Sequence, residues 1–108
     1  MPPHRLVALL LTLSPFAAMA FDPVEAESLA KKSKCFKCHH VEKRKESVPW
    51  REVARKYRGK ADAEEKLIRH LTSGREVKFD DGHEEKHSIV KSEDPVQIRN
   101  LVSWILSL

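Results

Sequence analysis

Apolar positions along this chain recur mostly at three- and four-residue intervals, the spacing of one face of a helix. Val24, Ala26, Leu29 and Ala30 make a small apolar face and predict a helix over residues 23 to about 34. Asp22 suits its cap and Pro23 its first turn. A shorter helix is expected over residues 50 to about 58, started by Pro49 and stopped by Gly59. A third runs over residues 63–73, opened by Ala61 or Asp62 and ended by Gly74. Its inward positions are Leu67, Ile68 and Leu71. The last helix takes Asp94 as cap and Pro95 at its first position. Val96, Ile98, Leu101, Val102, Ile105 and Leu106 form its apolar face, with Trp104 beside it. Residues 40–48 read as a basic, mobile stretch and residues 75–93 as an irregular loop. Strand-like alternation is scarce, so the expected class is all-α.

The beginning of the chain has a different pattern. His4 and Arg5 precede an apolar run over residues 6–13, and the segment ends in Ala18-Met19-Ala20. A basic start, a short apolar run and a small-x-small ending describe a cleaved export signal over residues 1–20. The run is too short to cross a bilayer, which argues against a permanent membrane anchor. The expected mature protein is a single domain over residues 21–108, located in the periplasm.

Such a domain buries only a modest core and commonly needs a staple, a metal or a cofactor. The two cysteines cannot supply a long-loop disulfide, because both lie in Cys35-Phe36-Lys37-Cys38-His39. Thiols three positions apart sit on one helical turn, close enough to add across the two vinyl groups of one haem. The histidine directly after them can then reach the iron. C-x-x-C-H is read as a covalent haem c attachment site, with His39 as proximal ligand. Export strengthens that reading, since intracellular C-x-x-C pairs are more often zinc or redox sites.

Charge adds a modest clue. Beyond residue 20 the chain carries 19 basic and 16 acidic residues, a formal +3. Lys31, Lys32, Lys34, Lys37, Lys43, Arg44 and Lys45 surround the C-x-x-C-H segment in sequence. Such a cluster suits docking to acidic redox proteins, or is an ordinary solvated face. Nucleic acid is not an expected partner outside the cytoplasm. Arg75 and Lys86 are candidates to neutralise haem propionates.

These segments together resemble the small bacterial class I cytochromes c over nearly the whole mature length. The resemblance rests on the Leu29-Ala30 helix, Cys35-Phe36-Lys37-Cys38-His39, Pro49-Trp50-x-x-Val53-Ala54-x-x-Tyr57 and Leu101-Val102-x-Trp104-Ile105-Leu106. It implies three to four short helices wrapped around one covalent haem c, with the first and last helices crossing beside it. It also implies that Leu29 and Trp104 join that crossing. Pro49 matches the proline whose carbonyl accepts a hydrogen bond from the proximal histidine, which would orient His39 and raise its basicity.

One departure is informative. The family usually supplies a methionine as second axial ligand. Here the only methionines are Met1 and Met19, both in the export segment. His40 follows His39 directly and cannot reach the opposite face. His70 is flanked by Arg69 and reads as a surface residue. Aligning Ile98, Leu101 and Trp104 without gaps on the family's last helix places His87 where the methionine stands. His83 would need four further residues. The reading is therefore His87 as distal ligand, His83 as second choice and an open position third.

Two rival chemistries compete with haem. Cys35, Cys38, His83 and His87 are donor types that zinc accepts, but 44 residues separate the pairs and His39 has no role. A thiol–disulfide oxidoreductase normally places its C-x-x-C in a βαβ setting, and no strands are evident. The function expected is a periplasmic mono-haem one-electron shuttle with bis-histidine ligation, and not an enzyme. The alternative is a haem protein whose sixth site is open or displaceable and binds or turns over a small ligand. Expected partners are periplasmic or membrane-bound redox proteins, met by a monomer.

Overall fold

The structure, a computed structural model, describes Met1 and residues 21–108. Apart from Met1, the expected export segment lies outside the described residues. Four helices follow in order: α1 (Pro23–Lys32), α2 (Trp50–Tyr57), α3 (Ala63–Thr72) and α4 (Pro95–Ser107). A single 3₁₀ turn, Cys35–Lys37, follows α1. Two short strands, β1 (Glu76–Lys78) and β2 (Glu84–Lys86), lie between α3 and α4.

The caps behave as local chemistry dictates. The Asp22 carboxylate accepts from the N–H groups of Val24 and Glu25 at 3.0 and 3.2 Å. Asp94 accepts from Val96 N–H at 2.9 Å. Asp62 stands at the start of α3 but makes no side-chain cap bond; its carboxylate pairs with Lys66 at 2.9 Å instead. Helix α1 stops slightly short of expectation. Lys34 adopts the left-handed conformation (φ 61°), turning the chain into the 3₁₀ turn that carries Cys35.

Helices α1 and α4 pack together across the molecule. Ala26 and Ala30 are fully buried on α1, and their small side chains let its backbone approach Leu101 and Val102 of α4, also fully buried. A reciprocal amide pair holds the crossing: Asp22 N–H donates to Asn100 Oδ1 at 2.7 Å and Asn100 Nδ2 donates to the Asp22 carbonyl at 2.9 Å. Leu29 is buried in the same core, as the resemblance implied. Trp104 leans toward α2, meeting Trp50 edge-on with ring centres 5.6 Å apart.

The helical fold is as expected, and the stretch read as an irregular loop contains a small two-stranded hairpin. The strands are antiparallel, with Glu76 opposite Lys86, Val77 opposite Glu85 and Lys78 opposite Glu84. Two of these pairs are oppositely charged, a favourable cross-strand arrangement. Three-residue strands without apolar alternation leave no periodic signal to read. Gly82 takes a positive φ of 90° in the turn, where its N–H donates to the Phe79 carbonyl at 3.0 Å. Among the described residues no helix is long and apolar enough to cross a membrane.

Candidate functional site

A cavity of about 730 Å³ opens between the helices and the hairpin. Cys35, Cys38 and His39 line it on the side of the 3₁₀ turn, and His87 lines it after β2. Trp50, Val53, Leu67, Leu71, Val90 and Ile105 supply apolar wall. Lys56, Lys66, Arg69, Arg75 and Lys86 also border it, against the carboxylates of Glu52 and Glu85. The space is therefore apolar within and mostly cationic among its charged groups.

The 3₁₀ turn is closed by Cys38 N–H and His39 N–H, both donating to the Cys35 carbonyl. Both cysteines are partly buried and no disulfide joins them. Burial pushes the Cys35 thiol up to about 11. A thiol that attacks disulfides needs the opposite, a lowered value.

His39 Nδ1 lies 3.2 Å from the Val48 carbonyl. A carbonyl only accepts, so Nδ1 carries the proton and Nε2 is left as the basic nitrogen. This corrects the role expected of Pro49: the acceptor is the carbonyl one residue earlier. The Pro49 carbonyl is already taken by Glu52 N–H and Val53 N–H at the first turn of α2. Pro49 directly follows that acceptor, and the residue before a proline is ordinarily restricted to extended backbone. Burial lowers the pKa of His39, while the Val48 carbonyl pulls the other way. The ring is thus kept neutral, the form that binds metals.

His87 repeats this arrangement. Its Nδ1 donates to the Ser88 carbonyl at 2.9 Å, again leaving Nε2 basic. Burial lowers its pKa as well. The ring centres of His39 and His87 stand 6.3 Å apart, with planes inclined by 55°. The segment bearing His87 is tied at three points. His87 N–H donates to the Arg75 carbonyl, Val90 N–H to the Leu71 carbonyl, and Lys91 N–H to Ser33 Oγ, each at 2.9 Å.

His83 is placed elsewhere. It sits on the exposed hairpin turn, stacked on Phe79 with ring centres 4.3 Å apart, and its Nδ1 is bonded to Asp81. It does not line the cavity, so Cys35, Cys38, His83 and His87 do not converge as a zinc site. His40 accepts from Glu42 N–H and Lys43 N–H through Nδ1, each at 3.0 Å, and is exposed.

The sequence of residues 24–108 matches the profile of the cytochrome c family. The chain belongs to the cytochrome c family. This cytochrome is 34% identical over 95 residues to cytochrome c-551 of Allochromatium vinosum, covering 86% of this chain and 98% of that protein. Its fold is similar to that of the class 1 cytochrome MtoD of Sideroxydans lithotrophicus ES-1. The TM-score is 0.78 at 55% identity, over 82% of this chain and 97% of the other. Wild-type Nitrosomonas europaea cytochrome c552 gives a TM-score of 0.59 at 28% identity, over 75% of this chain and 96% of that one.

Family membership makes this an electron-carrier cytochrome with one covalent haem c, and Cys35-Phe36-Lys37-Cys38-His39 is its attachment sequence. The site fits that group. Two thiols and an Nδ1-anchored imidazole border a mostly apolar cavity whose volume is ordinary for a cofactor.

Sequence reasoning missed three participants. Val48 and Ser88 act through backbone carbonyls, which no residue type advertises. His70 is not a surface residue: it is half-buried, lines the cavity and meets the ring of His87 at 4.1 Å between centres. Burial pushes its pKa down to about 4. Its signal was available, since Leu67, His70 and Leu71 fall on one helical face.

Proposed function

We propose that this cytochrome is a periplasmic one-electron shuttle whose haem iron is held between His39 and His87. The observation that carries the reading is the separation of the two rings. An imidazole nitrogen binds a transition metal at about 2.0 Å and lies about 1.1 Å from its ring centre, so two rings on opposite sides of one ion have centres about 6.2 Å apart. The rings of His39 and His87 stand 6.3 Å apart. Each has its Nδ1 committed to a backbone carbonyl, the usual anchoring of a metal-bound imidazole. The mature chain offers no methionine to compete.

The haem supplies the one-electron couple. The chain holds it by Cys35 and Cys38, keeps both axial nitrogens basic and lines the pocket with apolar side chains. Arg75 and Lys86 border the cavity and are placed to balance propionate charge. The exposed lysines 32, 34, 37 and 43 near the attachment segment form the docking face for acidic redox partners. Three members of the expected cluster are engaged elsewhere, Lys31 with Glu27, Arg44 with Asp80 and Lys45 with the Phe36 carbonyl. The carrier acts as a monomer and turns over no substrate.

The test is spectroelectrochemical titration of the purified holoprotein. A single one-electron wave with low-spin spectra in both oxidation states is expected. His87→Met should raise the midpoint, because thioether ligation favours ferrous iron. A high-spin ferric haem, or a ferrous protein that binds carbon monoxide on mixing, would favour the small-ligand alternative instead.

A further inference from the structure

The cavity holds a third imidazole that the two-ligand reading does not use. His70 lies on α3 between Leu67 and Leu71, both buried and both lining the same cavity. The helix is seated against α4 through the shared core. The ring of His70 is inclined at 47° to that of His87, with centres 4.1 Å apart. Neither ring nitrogen of His70 bonds another described residue, whereas Nδ1 of His39, His40, His83 and His87 is in each case committed. The His70 ring therefore has no hydrogen bond to another described side chain or carbonyl to break, and it stands beside the distal ring.

We propose that His70 is a substitute distal ligand: when His87 leaves the position opposite His39, the His70 ring takes it, so imidazole ligation is retained. This rests on the reading of His87 as the native ligand. The exchange breaks one nitrogen–iron bond and makes another, with no change in electron count. It requires His87 to swing out and His70 to advance by about the spacing of the two rings. Rotation between staggered side-chain rotamers moves a ring by a few Å, the size of that step. The two ligands arrive on different elements. His70 rides on a packed helix, and His87 follows directly on the exposed β2 strand. Loosening the hairpin therefore need not disturb His70.

The test uses holoprotein spectra of His87→Ala, His70→Ala, the double variant, and His83→Ala/His87→Ala. His87→Gln is a second single variant should alanine impair assembly. Expected are low-spin ferric spectra for His70→Ala and for His87→Ala, with electron paramagnetic resonance g-values altered only in the latter. Loss of the low-spin form is expected in His70→Ala/His87→Ala and not in His83→Ala/His87→Ala. High-spin His87→Ala and His87→Gln would overturn the proposal while leaving His87 as native ligand. Low-spin retention in His70→Ala/His87→Ala would overturn it too. Loss of the low-spin form in His70→Ala alone, with His87→Ala unchanged from wild type, would instead overturn the reading on which the proposal rests.

Discussion

His39 donates through Nδ1 to the carbonyl of Val48 at 3.2 Å, one residue upstream of Pro49. The proline's own carbonyl serves the first turn of α2. The same proline starts a helix and follows the residue whose carbonyl meets His39, a position that proline ordinarily restricts to extended backbone. Such a bond fixes the ring's tautomer and raises the basicity of Nε2.

Pro49→Ala removes the constraint on Val48 while leaving a residue that α2 tolerates. A weakened Nδ1–H···O bond makes His39 a poorer donor, which disfavours ferric iron and raises the potential. A net hydrogen bond is worth about 1 kcal/mol, or about 40 mV for a single electron. Protein-film voltammetry of the variant reads the shift. An unchanged or lowered midpoint would show that Val48 is held by other contacts.

The double variant Cys35→Ala/Cys38→Ala removes both covalent anchors. Without haem, the core that meets at Leu29, Leu67 and Leu101 surrounds a cavity of about 730 Å³. A domain this small does not tolerate that loss of buried contact. Thermal melting followed by circular dichroism should show no cooperative transition. A stable, helical, haem-free protein would contradict this.

Ser33 is the one buried polar residue among those described, 3% exposed, and its Oγ accepts the Lys91 N–H at 2.9 Å. Ser33→Ala leaves that N–H without its partner on the segment that carries His87. The cost expected is about 1 kcal/mol, which lowers Tm by about 4–8 °C in a domain of this size. Ser33→Thr should restore most of it. Calorimetry of the holoprotein checks both variants.

His83 and Asp81 form a pair on the hairpin turn, and the Asp81 hydrogen bond raises the pKa of His83 above 6.5. A raised folded-state value means the pair stabilises the hairpin fully below pH 6.5 and loses that effect as pH rises through the folded value. The His83 ring-proton resonance should titrate above 6.5 and shift downward in Asp81→Asn, with Glu85 still holding it up in part. The low-spin haem spectrum should be unaffected across this range, and by His83→Ala.

Much of this protein was legible without coordinates. Helix starts were readable because capping is local: Asp22 and Asp94 act within three residues of themselves. The haem attachment was readable because the spacing of Cys35, Cys38 and His39 is itself the chemistry. Composition confined methionine to positions 1 and 19, which turned the expectation for a second ligand toward histidine. The hairpin was not readable, since its strands are held by pairing across a turn and not by an apolar period. Nor were the carbonyls of Val48 and Ser88, because every residue carries one and only backbone direction selects among them. His70 shared a helical face with two leucines, yet its meeting with His87 depends on how a helix and a distant strand end are brought together. The sequence by itself determined which groups are available for ligation. Tertiary structure decided which of them face one another, because separations of a few Å across the cavity are set by long-range packing that no local pattern encodes.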